Sequence, residues 1–195
     1  MQPLPDCIKD DFFKFLNGEE PISNFEQWVY ETNDLEKALG NEDYLHLISL
    51  DFSKRGSKYE IDDILRRYIN LGEYETWKLK NHLLAFINKK ENPLQVLSKF
   101  YALYCDGHYF LDRLGLEYGL SARVPPSQCR VEFWEELSSE EQRELIDFLL
   151  PGAMREAQRV LYWLETDKIA ITNEQDELGH YLYVDRRTEE ERQTV

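Results

Sequence analysis

Apolar residues recur at three- and four-residue steps along most of this chain, and only near residue 170 do they begin to alternate. Between residues 5 and 16, Ile8, Phe12, Phe13, Phe15 and Leu16 follow helical spacing, and Asn17-Gly18 stops the run. Ser23 and Asn24 are candidate caps for a helix through Phe25, Trp28, Val29 and Tyr30. Asp34 is another, for the turn holding Leu35 and Leu39 that Gly40 closes. Asn41 opens a stretch with Tyr44, Leu45, Leu47, Ile48 and Leu50 apolar on most sides, which predicts burial. From Ser57 to Ile69 one stripe carries Ile61, Ile64, Leu65, Tyr68 and Ile69. Opposite it, Asp62 stands four before Arg66 and Asp63 four before Arg67. Such pairs contribute about 0.2–0.5 kcal/mol each and mark a solvated helix face. A longer helix is predicted from Glu73 to about Lys90, whose closing lysines complement the helix dipole.

Glu91-Asn92-Pro93 is the strongest internal break, because proline suits the first turn of a new helix and ends an old one. It divides the chain into an N-terminal helical subdomain, 1–91, and a C-terminal one, 92–184. Leu94, Val96, Leu97, Phe100, Tyr101, Leu103 and Tyr104 then form an apolar helix, and Gly107, Gly115 and Gly119 interrupt the next stretch. Ser138 with Glu141 has the form of a capping box, launching a helix that carries Leu145, Ile146, Phe148 and Leu149. Pro151-Gly152 is expected to break that run before a further helix with Ala153, Ala157, Val160, Leu161 and Leu164. Ile169 to Thr172 and His180 to Val184 alternate with period two, which predicts a small hairpin. Residues 185–195 are expected to form a flexible polar tail. The fold class is therefore mainly α, a multi-helix bundle with a small C-terminal β-hairpin.

Charge changes this picture most. The 195 residues carry 38 acidic against 23 basic side chains, a net −15. Residues 1–53 hold 12 acids and 3 bases, 54–90 hold 5 and 9, and 91–195 hold 21 and 11, so two acidic regions flank a mildly basic one. A field of this sign repels nucleic acid and speeds association with basic proteins, and it also keeps a protein dispersed. Met1-Gln-Pro-Leu-Pro-Asp lacks a basic n-region, no stretch reaches membrane-spanning length, and three cysteines form no metal spacing. These features predict a cytoplasmic protein with no membrane, nucleic-acid or cofactor partner.

No catalytic motif emerges. In Cys105-Asp106-Gly107-His108 the cysteine follows core-type residues, so a buried thiol beside a turn is expected rather than a nucleophilic pair. The histidines are scattered outside any metal pattern, and phosphate loops and serine-nucleophile motifs are missing. Lys54-Arg55-Gly56-Ser57-Lys58 reads as a surface loop. The densest acidic patch runs from Glu132 through Glu135, Glu136, Glu140 and Glu141 to Glu144, with Phe133 and Trp134 among the carboxylates. A helix start accounts for Glu140 and Glu141, whereas carboxylates around aromatic anchors suit a grip on a basic partner. Trp134 serves either core packing or that grip. Asp176 and Glu177, with Glu174, form a second acidic cluster on the hairpin loop.

One segment resembles a known group. Phe25-Glu-Gln-Trp28-Val-Tyr30, Leu35-Glu36, Leu39-Gly40 and Tyr44-Leu45-x-Leu47-Ile48-Ser49, continuing through Lys58-Tyr59-Glu60 to Tyr74-Glu75-Thr76-Trp77, is similar to a stretch of bacterial immunity proteins. These are encoded beside polymorphic toxins, including those of contact-dependent growth inhibition. The resemblance covers about residues 22–90. It implies an α-helical, non-enzymatic protein that neutralises a cognate toxin, often a nuclease, and it carries over no contact residues. The expected partner is a basic toxin, with Glu132, Trp134, Glu135, Glu136, Glu140, Glu141, Asp176 and Glu177 the candidate contacts. Alternatives are an enzyme whose acidic cleft takes a sugar or cationic small molecule, and a nucleic-acid mimic acting as a regulator.

Overall fold

A computed structural model describes residues 4–90, 92–125, 129, 131 and 133–193. The chain is mainly α, and its sheet is a two-stranded antiparallel hairpin, as the periodicity predicts. Two compact units divide it, Met1–Tyr74 and Glu75–Val195.

The first unit contains α1 (Asp6–Leu16), α2 (Ile22–Glu31), α3 (Leu35–Leu39), α4 (Asn41–Ser49) and α5 (Ser57–Arg66). Spacing of four and three along α1 buries Ile8, Phe12 and Phe15 on one face, with Phe13 beside them. Phe15 packs 4.1 Å from Phe25 between ring centres, and Phe25 stacks on Trp28 at 5.3 Å. Aromatic pairs of this kind contribute about 0.5–1.5 kcal/mol beyond area burial. In α4 only Leu47 is fully buried, while Leu45 is 52% exposed. The predicted burial of the whole Tyr44–Leu50 run is thus corrected: a helix this short lies on the core along one edge. Past α5, the Tyr68 hydroxyl reaches both the Leu39 carbonyl and the Asp43 carboxylate, the latter at 2.5 Å. Arg67 joins Asp43 at 3.1 Å and Asp63 at 2.5 Å, and Arg66 joins Asp62 at 2.6 Å. The two predicted helical ion pairs are present and solvated.

The second unit takes up α6 (Leu71–Ile87) after its first turn, then α7 (Pro93–Cys105), a 3-10 turn (Tyr109–Leu111), a π-helix (Arg113–Gly119), a 3-10 turn (Trp134–Glu136), α8 (Ser139–Glu165), β1 (Ile169–Gln175), β2 (Tyr181–Asp185) and α9 (Glu189–Gln193). Asn92 caps α7 by accepting the Leu94 N–H at 3.0 Å, with Pro93 at the first helical position. The break at 91–93 therefore separates helices, and both sides of it belong to one core. Leu79, Leu83 and Phe86 of α6 meet Val96, Leu97 and Phe100 of α7 there.

Further features of this unit depart from the sequence reading. Gly115 and Gly119 do not interrupt structure; they line the π-helix where it lies on α7. A Cβ at Gly119 would stand 2.7 Å from the Leu97 carbonyl oxygen, and one at Gly115 2.7 Å from the Tyr104 Cβ. Pro151-Gly152 does not break α8, which runs 27 residues through it. The apolar stripe of Leu149, Ala153, Ala157, Val160 and Leu164 continues across the proline, whose ring faces solvent. On that side water can take the carbonyl freed by the missing N–H. Residues 185–193, expected as a loose tail, are tied down. Thr188 and Glu191 exchange backbone caps at 3.2 and 3.0 Å, Glu191 pairs with Lys168, and the Arg187 guanidinium lies 4.4 Å over the Trp163 ring. Arg159 approaches the same ring at 5.0 Å and pairs with the buried Glu156 at 2.8 Å, so that buried charge is matched.

In the hairpin, Ile169 pairs with Asp185, Ala170 with Val184 and Ile171 with Tyr183, before an irregularity between Ile171 and Gln175. Alternation puts Ile169 and Tyr183 toward the core, where Tyr183 meets Phe110 edge-on at 4.9 Å.

Candidate partner-binding surface

The N-terminus of α8 forms as its sequence directs. The Ser138 hydroxyl donates to the Glu141 carboxylate at 2.6 Å and accepts the Glu141 N–H at 3.3 Å, and the Ser138 N–H donates back to that carboxylate at 2.8 Å. The hydroxyl contact holds the Glu141 carboxyl below its usual range. Glu141 is exposed, yet one of its carboxylate oxygens, Oε2, already serves the cap.

Trp134 is a structural anchor. It is 9% exposed, its indole N–H donates to the Ser121 carbonyl at 3.2 Å, and its own carbonyl accepts from the Gln142 side chain at 2.8 Å. The Gln142 amide also reaches the Leu137 carbonyl at 3.1 Å, tying residues 134–137 to the first turn of α8. Glu135, Glu136 and Glu140 are exposed and form no ion pair among the described residues. Glu132 lies outside the described residues. The exposed rings here are Phe133, at 60%, and Phe148, at 79%.

The exposure of Phe148 escaped the sequence reading, which grouped it with Leu149, whereas Glu144 closes the predicted acidic patch. A signal was present: the stripe from Leu149 through Ala153 to Ala157 fixes the core side of α8, and Phe148 stands about 100° from Leu149 around the helix. A groove of about 280 Å³ opens beside it, lined by Cys129, Leu137, Glu141, Glu144, Leu145 and Phe148. Across Trp134, a shallower depression of about 540 Å³ includes Lys99, Arg123 and Glu135. There Arg123 is held by Ser98 at 2.8 Å and lies 4.8 Å over the Tyr101 ring.

The hairpin cluster has a local job. Asp176 accepts the N–H groups of Leu178 at 2.8 Å and His180 at 2.9 Å, shaping a loop that Gly179 closes at φ +84°. The His180 N–H bond is the main reason its carboxyl sits below the usual range. Glu177 and Glu174 are exposed at the same loop. Contacts of Asp176 stay within that loop, so the structure joins Trp134, Glu135, Glu136, Glu140 and Glu141 in one segment and leaves Asp176 and Glu177 in another.

Cys105 and His108 do not form a reactive pair. Cys105 is exposed at the end of α7, correcting the expected buried thiol: Leu103 and Tyr104 of the last turn still pack against the core, and Cys105, one step further round the helix, does not. His108 is the buried member, its Nδ1 3.2 Å from the Leu103 carbonyl, and burial pushes its pKa down against the pull of Glu75. Among the described residues no three His, Cys, Asp or Glu side chains gather as for a metal, and no helix is long and apolar enough to cross a membrane. Comparison with protein-family models, with curated proteins and with solved structures gave no match to this chain.

Proposed function

We propose that this chain is an immunity protein, which binds a basic toxin domain of nuclease type in the cytoplasm and occludes its active or substrate-binding site. The observation that carries this reading is the segment 133–140, where Glu135, Glu136 and Glu140 stand exposed, without ion-pair partners among the described residues, beside the exposed Phe133. Carboxylates in such an array pair with the Lys, Arg or His that a nuclease presents to phosphate, and the substrate is then excluded. The net charge of −15 steers a basic partner in, and the resemblance over residues 22–90 points the same way. Trp134 supports the segment from beneath. On this reading the chain itself carries out no chemical step.

Co-purification from the native host identifies the toxin. The triple variant Glu135→Gln, Glu136→Gln, Glu140→Gln then tests the surface, since it keeps size and hydrogen bonding while removing three charges. Stability is expected to stay within about 0.5 kcal/mol, because exposed charges without partners contribute little. Affinity for the toxin is expected to fall, with a shallower salt dependence. Unchanged affinity and salt slope would place the interface elsewhere, and a purified chain that retains no basic protein would remove the reading altogether.

A further inference from the structure

We propose that the groove beside Phe148 seats an apolar side chain of a basic amphipathic helix carried by the partner, an inference that rests on the inhibitor reading. Leu137 and Leu145 line the groove, and Phe148 stands beside them with 79% of its surface in water. An exposed phenylalanine on a regular helix is a rigid anchor that loses little conformational entropy on docking. At about 280 Å³ the groove falls just short of a typical small-molecule pocket and suits an inserted side chain.

Charge selects the occupant. Glu141 and Glu144 lie in the lining itself. Among the described residues 133–148, Glu135, Glu136, Glu140, Glu141, Glu144 and Asp147 face the single base Arg143. Glu140, Glu144 and Asp147 succeed one another at four and three residues, a carboxylate row about 10 Å long on α8. An apolar residue entering the groove from a helix carries the positions flanking its apolar stripe past this row. Lys or Arg at those neighbouring positions pairs with it, whereas acidic or neutral helices gain nothing and acidic ones are repelled. The partner chemistry is therefore a helix with apolar residues at helical spacing and cations on the flanks.

The test uses the full chain and two fluorescein-labelled peptides: a Leu/Lys peptide with leucines at helical spacing, and its counterpart with every leucine replaced by serine at equal charge. Anisotropy titrations are expected to show binding of the Leu/Lys peptide, weakened roughly tenfold by Phe148→Ala and several-fold by Glu144→Gln, with a reduced salt slope in the latter. Both positions are exposed, so the variants fold, and the equally exposed Tyr59→Ala in the first unit is expected to bind as the wild type does. Equal binding of the serine peptide, or of the Leu/Lys peptide to Phe148→Ala, would overturn the groove. The two readings separate cleanly. If Phe148→Ala neutralises the toxin as well as the wild type, the groove falls and the inhibitor stands. If the groove discriminates the peptides while no toxin is neutralised, the inhibitor reading falls and the groove stands.

Discussion

Replacing Gly119 by alanine is expected to destabilise the second unit, although alanine favours helices over glycine by about 1 kcal/mol. The added Cβ would meet the Leu97 carbonyl oxygen at 2.7 Å, the Tyr101 amide nitrogen at 2.9 Å and the Tyr101 Cβ at 3.0 Å. None of these atoms can rotate away, since two are backbone and the third is fixed to it. The π-helix must therefore lift from α7 by several tenths of an ångström, in an interior where such gaps forfeit packing. Overpacking costs about 1–3 kcal/mol, and a clash with backbone belongs at the upper end, leaving a net loss of about 1–2 kcal/mol. With a urea slope of about 1–3 kcal/mol per molar, the unfolding midpoint should fall by roughly 0.3–2 M. Tryptophan fluorescence reports it through Trp134 and Trp163. Gly152→Ala is the internal comparison: its Cβ would approach the Tyr118 hydroxyl at 2.5 Å and ring carbons Cε1 and Cζ at 3.0 Å, all at the far end of a side chain and none of them backbone. It should lose less, or gain. A Gly119→Ala protein as stable as the wild type, or less perturbed than Gly152→Ala, would refute the close-packed contact.

Other consequences are open to direct measurement. Burial, then the Asp43 carboxylate, push the Tyr68 phenol up to about 12, so its contribution to stability is present below about 10 and is lost as pH rises through 12. Spectrophotometric titration should show one late phenol that disappears in Tyr68→Phe, with about 0.5–1.5 kcal/mol lost at neutral pH. His108 is shifted the other way, so the unfolded chain binds its proton first and stability drops as pH falls below about 6.5. His108→Gln should flatten the urea-midpoint profile below about pH 6.5, and an unaltered slope would assign it to other groups. Arg187→Ala removes the cation over Trp163 and the 3.0 Å bond to Asp185, and should cost about 1–3 kcal/mol. Hydrogen exchange at residues 189–193 should rise with it; unchanged protection would mean α9 is held without Arg187.

Periodicity revealed the helices and the hairpin because each buries a stripe whose spacing is written locally. It misjudged Pro151, since proline's cost depends on which side of the helix it occupies, and only the flanking stripe says that. The π-helix was illegible for a related reason: Gly115 and Gly119 look like breaks until a neighbouring backbone requires them to be bare. Residues 185–193 contain no apolar run, and their attachment through Arg187 to Trp163 links positions far apart in sequence. At the candidate surface, the capping box was readable from Ser138 and Glu141, and the exposure of Glu135 and Glu136 accords with their polarity. The division of labour between Trp134 and Phe148 was not, because both are large and apolar, and burial is decided by which has an indole N–H near a carbonyl and which points off the core stripe.

The placement of Ile169, Tyr183 and Arg187 against the older part of their unit bears on the order in which the chain is made. Residues 1–74 hold all of the first unit, and it can condense while residues 75–195 are still being translated, roughly 6–24 s at ~5–20 residues per second. The second unit closes late in its own synthesis. Leu79, Phe100 and Phe110 emerge well before β2 and Arg187, so until residue 187 has cleared the ribosome the nascent second unit lacks the cover that Tyr183 gives Phe110 and Arg187 gives Trp163.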